Sequence, residues 1–236
     1  IYWNAHREKH LSLRNTRVGS QAAERRAMTD FLLLDFGTTS TKSVRVDALT
    51  GTLSKPETYS ALTNVTDRAG RSEFDVRHVH ERFDQICAHY YAQQPFEGIV
   101  LCSEMHGFTV LDEDDSPLTP YISWKDERSL ETLRGSRAFD DVQSALGDTF
   151  KETTGMKPRP GFAPMNFLHV AREIPLPNAV RIVDLPGWLC RACGHATGYV
   201  HPTMLAGLGF YDVRERQTAH ALIEGVEHLS NCLLYT

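Results

Sequence analysis

The sequence has no apolar run that approaches the length of a membrane-spanning helix, which argues against an integral membrane protein. Cysteine is scarce, with 5 residues in 236, so we expect free thiols in a reducing compartment and predict a cytoplasmic location. Basic residues are also few, because 25 Lys and Arg stand against 30 Asp and Glu, and the net charge is −5. This acidic balance predicts that neither nucleic acid nor an anionic membrane is the main partner.

Residues 1–27 differ in charge from the remainder of the chain. Six basic and two acidic residues give this segment about +4, which leaves about −9 for the rest. The segment lacks the continuous apolar region of a signal peptide, and an Arg-rich organelle presequence is the alternative. Met28 stands just before the first apolar run, so we expect it to be the natural start and residues 1–27 to be a weakly packed extension.

The chain is organised around residues 31–46, which read FLLLDFGTTSTKSVRV. Four apolar residues predict a buried strand that ends at Asp35, and the later alternation predicts a second strand that returns as a hairpin. A carboxylate beside a Gly/Thr/Ser turn suits a phosphate and its metal, whereas an ordinary polar turn is the alternative. The candidate metal ligand is Asp35, and the candidate phosphate-binding residues are Gly37, Thr38, Thr39, Ser40 and Lys42.

The elements that follow indicate the fold class. We expect a third strand within 52–60 that is broken by Pro56, and then a helix capped by Asp75. The apolar positions of that helix fall at three- and four-residue steps, at Val76, Val79, Phe83, Ile86 and Tyr90. An apolar run at 99–102 predicts a further strand, parallel to the first. This order resembles the ribonuclease-H-like unit of actin and many sugar kinases, which is an α/β domain with a mixed sheet flanked by helices.

Residues 103–129 carry a more specific resemblance. They read SEMHGFTVLDEDDSPLTPYISWKDERS, with a Met-His-Gly, a Leu-Asp turn and a Trp-x-Asp-x-Arg. This stretch resembles the FGGY family of carbohydrate kinases, which includes xylulokinase, gluconokinase and glycerol kinase. Asp35 to Lys42 is similar to the first phosphate loop of that family, and residues 73–75 resemble its short segment before the first helix. Three matches in the right order support the prediction of a sugar kinase more strongly than any one of these motifs would alone.

The resemblance implies a sugar site. Sugar hydroxyls need paired donors and acceptors, and the apolar faces of sugars stack on aromatic side chains. The candidate substrate-binding residues are Glu104, Met105, His106, Trp124, Asp126, Arg128 and Phe162. The alternative roles are structural, with Trp124 in the core and Asp126 with Arg128 capping the following helix.

Downstream the match weakens. We expect one helix over 136–146 and a short one that runs to Thr154, followed by a segment that resembles the family's glycine-proline stretch. The family has a Lys and a Trp on the next helix, where this chain has Asn166 and His169. Residues 180–183 predict a strand, and residues 184–188 resemble the start of the family's next helix. Cys190, Cys193 and His195 look like half a zinc site without a second pair.

The family implies a function and also what we expect to lie elsewhere. Residues 28–236 resemble the N-terminal, sugar-binding domain of a kinase that transfers the γ-phosphoryl group of ATP to a hydroxyl of a sugar, sugar acid or polyol, with Mg²⁺. We expect the general base and the adenine-binding domain of the family beyond Thr236, so we assign no catalytic residue and expect the fragment alone to be inactive. A catalytically inactive sugar-binding or regulatory module is the alternative. A homodimer of the full-length protein is one assembly that the resemblance leaves open.

The end of the chain carries helix-spaced apolar residues. We expect these side chains to lack partners and to leave hydrophobic surface exposed. They are Leu222, Ile223, Val226, Leu229, Leu233 and Leu234.

Overall fold

The structure is a computed structural model that describes residues 30–195 and 200–235. The proposed extension 1–27 and the proposed start at Met28 lie outside these residues. The strands are β1 (Asp30–Phe36), β2 (Ser40–Asp47), β3 (Glu57–Ser60), β4 (Glu73–Phe74), β5 (Gly98–Ser103), β6 (Thr109–Leu111), β7 (Tyr121–Ile122), β8 (Thr132–Leu133), β9 (Ser136–Arg137), β10 (Ala179–Val183), β11 (Tyr211–Asp212), β12 (Gln217–Thr218) and β13 (Leu233–Tyr235). The helices are α1 (Val76–Gln93), α2 (Ala138–Thr154), α3 (Ala163–Glu173), α4 (Leu185–Ala192), α5 (Pro202–Gly207) and α6 (His220–Ser230), with a 3₁₀ turn at Arg128–Leu130.

The chain forms two compact units. The first unit contains the described residues up to Ala61 together with Asp84–Cys102, and the second contains Leu62–Phe83 and the described residues from Ser103 on. Each unit has its own sheet, and they are described separately below.

The first unit is built on a four-stranded sheet in the order β3-β2-β1-β5. The predicted hairpin is confirmed, because β1 and β2 pair antiparallel from Asp30↔Asp47 to Phe36↔Thr41. The buried face of β2 includes Ser43, whose hydroxyl donates to the Tyr90 hydroxyl oxygen at 3.0 Å. The third strand begins directly after Pro56, as its break in the sequence predicts.

Helix α1 begins where the sequence predicts. The Asp75 carboxylate accepts a hydrogen bond from the backbone N–H of Arg77 at 2.9 Å, so it caps the first turn. All five predicted apolar positions of this helix are buried. The helical periodicity of the sequence therefore identified the inward face correctly.

The second unit contains a mixed three-stranded sheet in the order β13-β10-β6. The central strand β10 pairs parallel with β13 and antiparallel with β6. Helix α4 follows β10, and the Asp184 carboxylate caps it by accepting from the Gly187 backbone N–H at 2.5 Å. The predicted strand and the predicted helix start are both confirmed.

Two expectations for the second unit were wrong. Residues 138–154 form one continuous helix, α2, which passes through Gly147 and ends at Gly155, whose φ is 72°. The C-terminal apolar residues are not left without partners, because α6 packs on α2 and Leu222 is only 1% exposed. Ile223, Val226 and Leu234 are buried as well, and of the six residues Leu233 is the most exposed, at 53%.

Among the helices of residues 30–195 and 200–235, none combines the length and apolarity that a bilayer crossing requires.

Candidate functional site

The phosphate-loop candidates lie in the first unit, at the turn between β1 and β2. Asp35 and Lys42 are register partners on neighbouring strands, and both side chains are exposed. The turn is tight, since the Gly37 backbone N–H donates to the Ser40 carbonyl at 3.1 Å. A β-carbon at position 37 would lie 3.2 Å from that carbonyl oxygen, so glycine fits here without displacement. One carboxylate and one ammonium therefore flank a turn of glycine and hydroxyl residues, as in the predicted phosphate loop.

The side chains of this turn could bind a metal ion only together with a phosphate group that supplies further oxygen ligands. Asp35 is the one carboxylate of the turn at 35–42. In the described part of the chain, no group of three or more His, Cys, Asp or Glu side chains could hold a metal. Mg²⁺ is commonly held by one or two carboxylates, substrate phosphates and water. Asp35 fits that mode of binding, with phosphate oxygens and water as the remaining ligands.

The Met-His-Gly candidates lie in the second unit, where the backbone turns sharply. His106 has a φ of 71°, and a β-carbon on Gly107 would lie 2.2 Å from the Tyr121 hydroxyl oxygen. The Nδ1 atom of His106 lies 2.7 Å from the Gly207 carbonyl oxygen. Because a carbonyl only accepts, this contact assigns a proton to Nδ1, and in the neutral form of the ring Nε2 is then an acceptor. The ring also stacks on Phe162, with centroids 4.6 Å apart and planes at 23°.

Two apolar candidates of the same unit are exposed. Met105 is 40% exposed and Trp124 is 44% exposed. Met105 packs beside α5, because a β-carbon on Gly207 would lie 3.2 Å from its Cε. Trp124 is therefore not a core residue, which removes the structural alternative for it. Exposed apolar side chains of this kind can cover the apolar face of a sugar.

Glu104 lies near the buried Tyr121 hydroxyl. Burial, followed by the negative charges of Glu104 and Asp184, raises the pKa of Tyr121 well above its ordinary value. The phenol therefore stays protonated at neutral pH. This arrangement keeps a carboxylate and a hydroxyl together at the base of the Met-His-Gly segment.

Asp126 and Arg128 form a closed ion pair. The Asp126 carboxylate is 0% exposed and accepts from the Ser72 backbone N–H at 2.8 Å and from the Arg128 Nε at 2.8 Å. It also accepts from the Arg128 backbone N–H at 3.0 Å and from its Nη2 at 2.9 Å. Arg128 also donates to Glu73. Burial alone lowers the pKa of Arg128, but the hydrogen bonds and charges of Asp126 and Glu73 raise it above its ordinary value. In this conformation Asp126 closes a local turn through the Arg128 backbone N–H, whereas the 3₁₀ turn at Arg128–Leu130 has Glu127 at its N-cap and no side-chain cap.

A second charge cluster was not expected from the sequence. Arg71 donates to both oxygens of Glu131, at 2.7 Å each, and to both oxygens of Glu173, at 2.9 and 2.7 Å. His169 is buried beside it, with Nε2 3.3 Å from an Arg71 nitrogen. Burial lowers the pKa of His169, so its imidazole is held neutral. Arg71 ends a polar stretch that reads as a loop, so the sequence carried no signal for this cluster.

Asn166 and Ser129 are further residues that the sequence did not single out for a role. Asn166 on α3 is fully buried and contacts the backbone of residues 126 and 129. In the sequence, position 166 differs from the resemblance only in having Asn where the family has Lys. At the half zinc site, the Cys193 Sγ lies 3.9 Å from the His80 Nε2.

The family model of the "FGGY family of carbohydrate kinases, N-terminal domain" matches residues 31–172. The chain belongs to this family. It is 27% identical to a xylulose kinase of Staphylococcus xylosus over 118 residues, which are 48% of this chain and 23% of that protein. It is 32% identical to a gluconokinase of Bacillus subtilis over 106 residues, which are 43% of this chain and 20% of that protein.

Solved structures of FGGY kinases share the fold. The gluconate kinase of Lactobacillus acidophilus matches 88% of this chain and 42% of its own, with a TM-score of 0.69 at 19% identity. The xylulose kinase of Rhodospirillum rubrum matches 87% of this chain and 42% of its own, with a TM-score of 0.71 at 16% identity. The predicted α/β, actin-like ATPase fold is thereby confirmed. This FGGY chain spans about a fifth of the length of the curated relatives and about two fifths of the solved chains.

Proposed function

We propose that this chain is the sugar-binding part of an ATP-dependent carbohydrate kinase. The whole enzyme transfers the γ-phosphoryl group of ATP to a hydroxyl of a sugar, sugar acid or polyol, with Mg²⁺. The observation that carries the proposal is the His106 ring, stacked on Phe162 and fixed through Nδ1 by the Gly207 carbonyl. A hydrogen-bond acceptor held at this angle beside exposed Met105 suits a sugar hydroxyl next to an apolar sugar face.

The phosphate side of the proposal rests on the hairpin turn of the first unit. Thr38, Thr39 and Ser40 offer hydroxyl and N–H donors to phosphate oxygens, and Lys42 adds a positive charge. Asp35 would hold Mg²⁺, directly or through water, and bound Mg²⁺ would supply positive charge against the phosphate oxygens. Phosphoryl transfer depends on positioning and charge neutralisation, and this turn supplies residues for both.

The proposal assigns no general base among the described carboxylates. The Asp126 carboxylate is taken up by four N–H donors, and Asp184 caps α4. Glu104 keeps the substrate-binding role predicted for it, whereas the buried Asp126 carboxylate holds the site together. Arg128 acts with Asp126 as part of the same turn. The alternative is a sugar-binding module without catalysis.

The experiment is an isothermal calorimetric titration of the 236-residue chain with D-xylulose, D-gluconate and glycerol in turn. We expect one of them to bind, and His106→Ala to weaken that binding by about tenfold or more, because it loses a hydrogen bond and a stacked ring. His228→Ala on α6, which is exposed, is the matched control and should bind as the parent does. ADP release is measured in parallel. Binding without ADP release indicates the module or an incomplete kinase, and equal binding by the parent and His106→Ala refutes the site.

The ligands, partners, location and oligomeric state of the whole protein remain predictions. We propose a small-molecule sugar or polyol and ATP as its ligands, and neither nucleic acid nor membrane as a partner. We also propose a cytoplasmic location and a homodimer of the whole protein. Size-exclusion chromatography with light scattering tests the homodimer.

A further inference from the structure

Asn166 joins helix α3 to the loop that carries Trp124. Its Nδ2 donates to the Asp126 carbonyl oxygen at 2.8 Å, and its Oδ1 accepts from the Ser129 backbone N–H at 3.2 Å. The carbonyl can only accept and the N–H can only donate, so the orientation of the amide follows from its partners. Asn166 is fully buried, so water does not replace either bond.

Two more contacts hold the same loop to the start of α3. The Ser129 hydroxyl donates to the Pro160 carbonyl at 2.9 Å. A β-carbon on Gly161 would lie 1.8 Å from the Trp124 carbonyl oxygen, so the two backbones touch there. Residues 124, 126 and 129 are therefore each tied to the segment 160–166. Phe162, which stacks on His106, belongs to that segment.

We propose that Asn166 is a positioning residue of the sugar site. It fixes the Trp124 loop against the segment that bears Phe162, so the indole and the His106 ring keep one spacing when a sugar binds. Asn166 acts through the backbone of Asp126 and Ser129 and does not touch the substrate. This inference rests on the proposed function.

The chemistry of the position explains why an amide serves there. The backbone groups of Asp126 and Ser129 demand one donor and one acceptor from a single buried side chain, which asparagine supplies. Alanine would leave a buried carbonyl and a buried N–H without partners, each at a cost of desolvation. Aspartate keeps the shape and the acceptor but turns a carboxylate oxygen toward the Asp126 carbonyl, so the two oxygens repel each other. Both changes free the loop without removing any group that contacts the sugar.

The test uses the 236-residue chain with Asn166→Ala, Asn166→Asp and the exposed control Asn178→Ala. Each variant is also made with Trp124→Phe, and the difference between the two spectra isolates the fluorescence of Trp124. Without any ligand, we expect acrylamide to quench Trp124 at least about twofold more strongly in both Asn166 variants. We expect the control to match the parent. Circular dichroism identifies any variant that fails to fold, and the isosteric Asn166→Asp then decides the comparison.

The second readout is the affinity for D-xylulose, D-gluconate and glycerol. We expect the dissociation constant of whichever ligand binds the parent to rise about tenfold or more in the Asn166 variants. Unchanged Trp124 quenching with a lowered melting temperature overturns the inference, because Asn166 would then be structural only. If none of the three ligands binds the parent, the proposed function fails for these ligands, and the quenching data still decide the positioning role.

Discussion

Arg71 donates to both carboxylate oxygens of Glu173, at 2.9 and 2.7 Å, across 102 residues of sequence. Burial alone raises the pKa of Glu173, but the hydrogen bonds and charge of Arg71 lower it to about 2. A carboxyl group whose pKa is lower in the folded state stabilises the fold above its unfolded pKa. Its contribution disappears as the pH falls toward the folded pKa. The pH window in which Glu173 loses this contribution therefore lies between its ordinary pKa of 4.5 and about 2.

We predict that Glu173→Gln lowers the free energy of unfolding by about 1.5–3 kcal/mol at pH 7, the range for a hydrogen bond to a charged group. The gap between the parent and the variant should shrink as the pH falls from about 5 to about 2, because protonated Glu173 no longer pairs with Arg71. Urea unfolding at several pH values measures both quantities. Glu152→Gln, at an exposed position on α2, is the control. A gap that stays constant with pH contradicts the assignment.

Gly161 offers a sharp steric prediction. Gly161→Ala should destabilise the protein by about 1–3 kcal/mol or more, because its β-carbon would overlap the Trp124 carbonyl and force the backbones apart. Gly147→Ala, within helix α2, is the opposite case, since its β-carbon would meet Gln143 Cγ at an ordinary 3.5 Å. Alanine there should stabilise the protein by about 0.5–1 kcal/mol. Thermal unfolding of both variants checks the two signs, and a neutral Gly161→Ala would show that the loop yields easily.

Helix α6 should behave as core. Leu222→Ala should cost about 2–5 kcal/mol, because Leu222 is fully enclosed and its removal leaves a cavity. Leu233→Ala, at a half-exposed position, should cost less than about 1 kcal/mol. Chemical denaturation compares the two. Equal losses of free energy of unfolding in the two variants would contradict the tight packing of α6 in the structure.

Asp35 should matter for phosphoryl transfer and not for sugar binding. In any form of the protein that transfers phosphate, Asp35→Asn should lower kcat by about 10²-fold or more, because a neutral amide would hold Mg²⁺ less tightly than the carboxylate does. The dissociation constant for the sugar should stay within about twofold. Asp67→Asn, at an exposed position, controls for the loss of one negative charge. Steady-state kinetics with varied Mg²⁺ make the measurement, and an unchanged kcat removes Asp35 from the metal site.

The elements that the sequence predicted best are those with a strong local pattern. Helix α1 has a cap at Asp75 and five apolar residues at helical spacing, and these features depend only on neighbours in the chain. The hairpin of β1 and β2 is similar, because its turn chemistry and alternation are local as well. The same holds for Asp184, whose side chain caps the helix that it precedes.

The features that the sequence did not reveal depend on distant partners. The apolar face of α6 looked unpartnered because its contact with α2 joins residues far apart in sequence. Arg71 lies in a polar stretch, and only the fold brings Glu131 and Glu173 to it. Asn166 is a common residue whose role comes from two backbone groups on another segment. No periodicity or motif encodes such pairings.

The backbone of His106 limits which residues can replace it. At a φ of 71°, L-residues with branched β-carbons are strained, whereas glycine, asparagine and aspartate adopt the conformation most readily. A random codon library at this position, sorted first for folding alone, should therefore be depleted of valine, isoleucine and threonine before any sugar is added. Selection for binding would act on the small set that survives. The geometry of one peptide unit thus limits which side chains evolution could place at position 106.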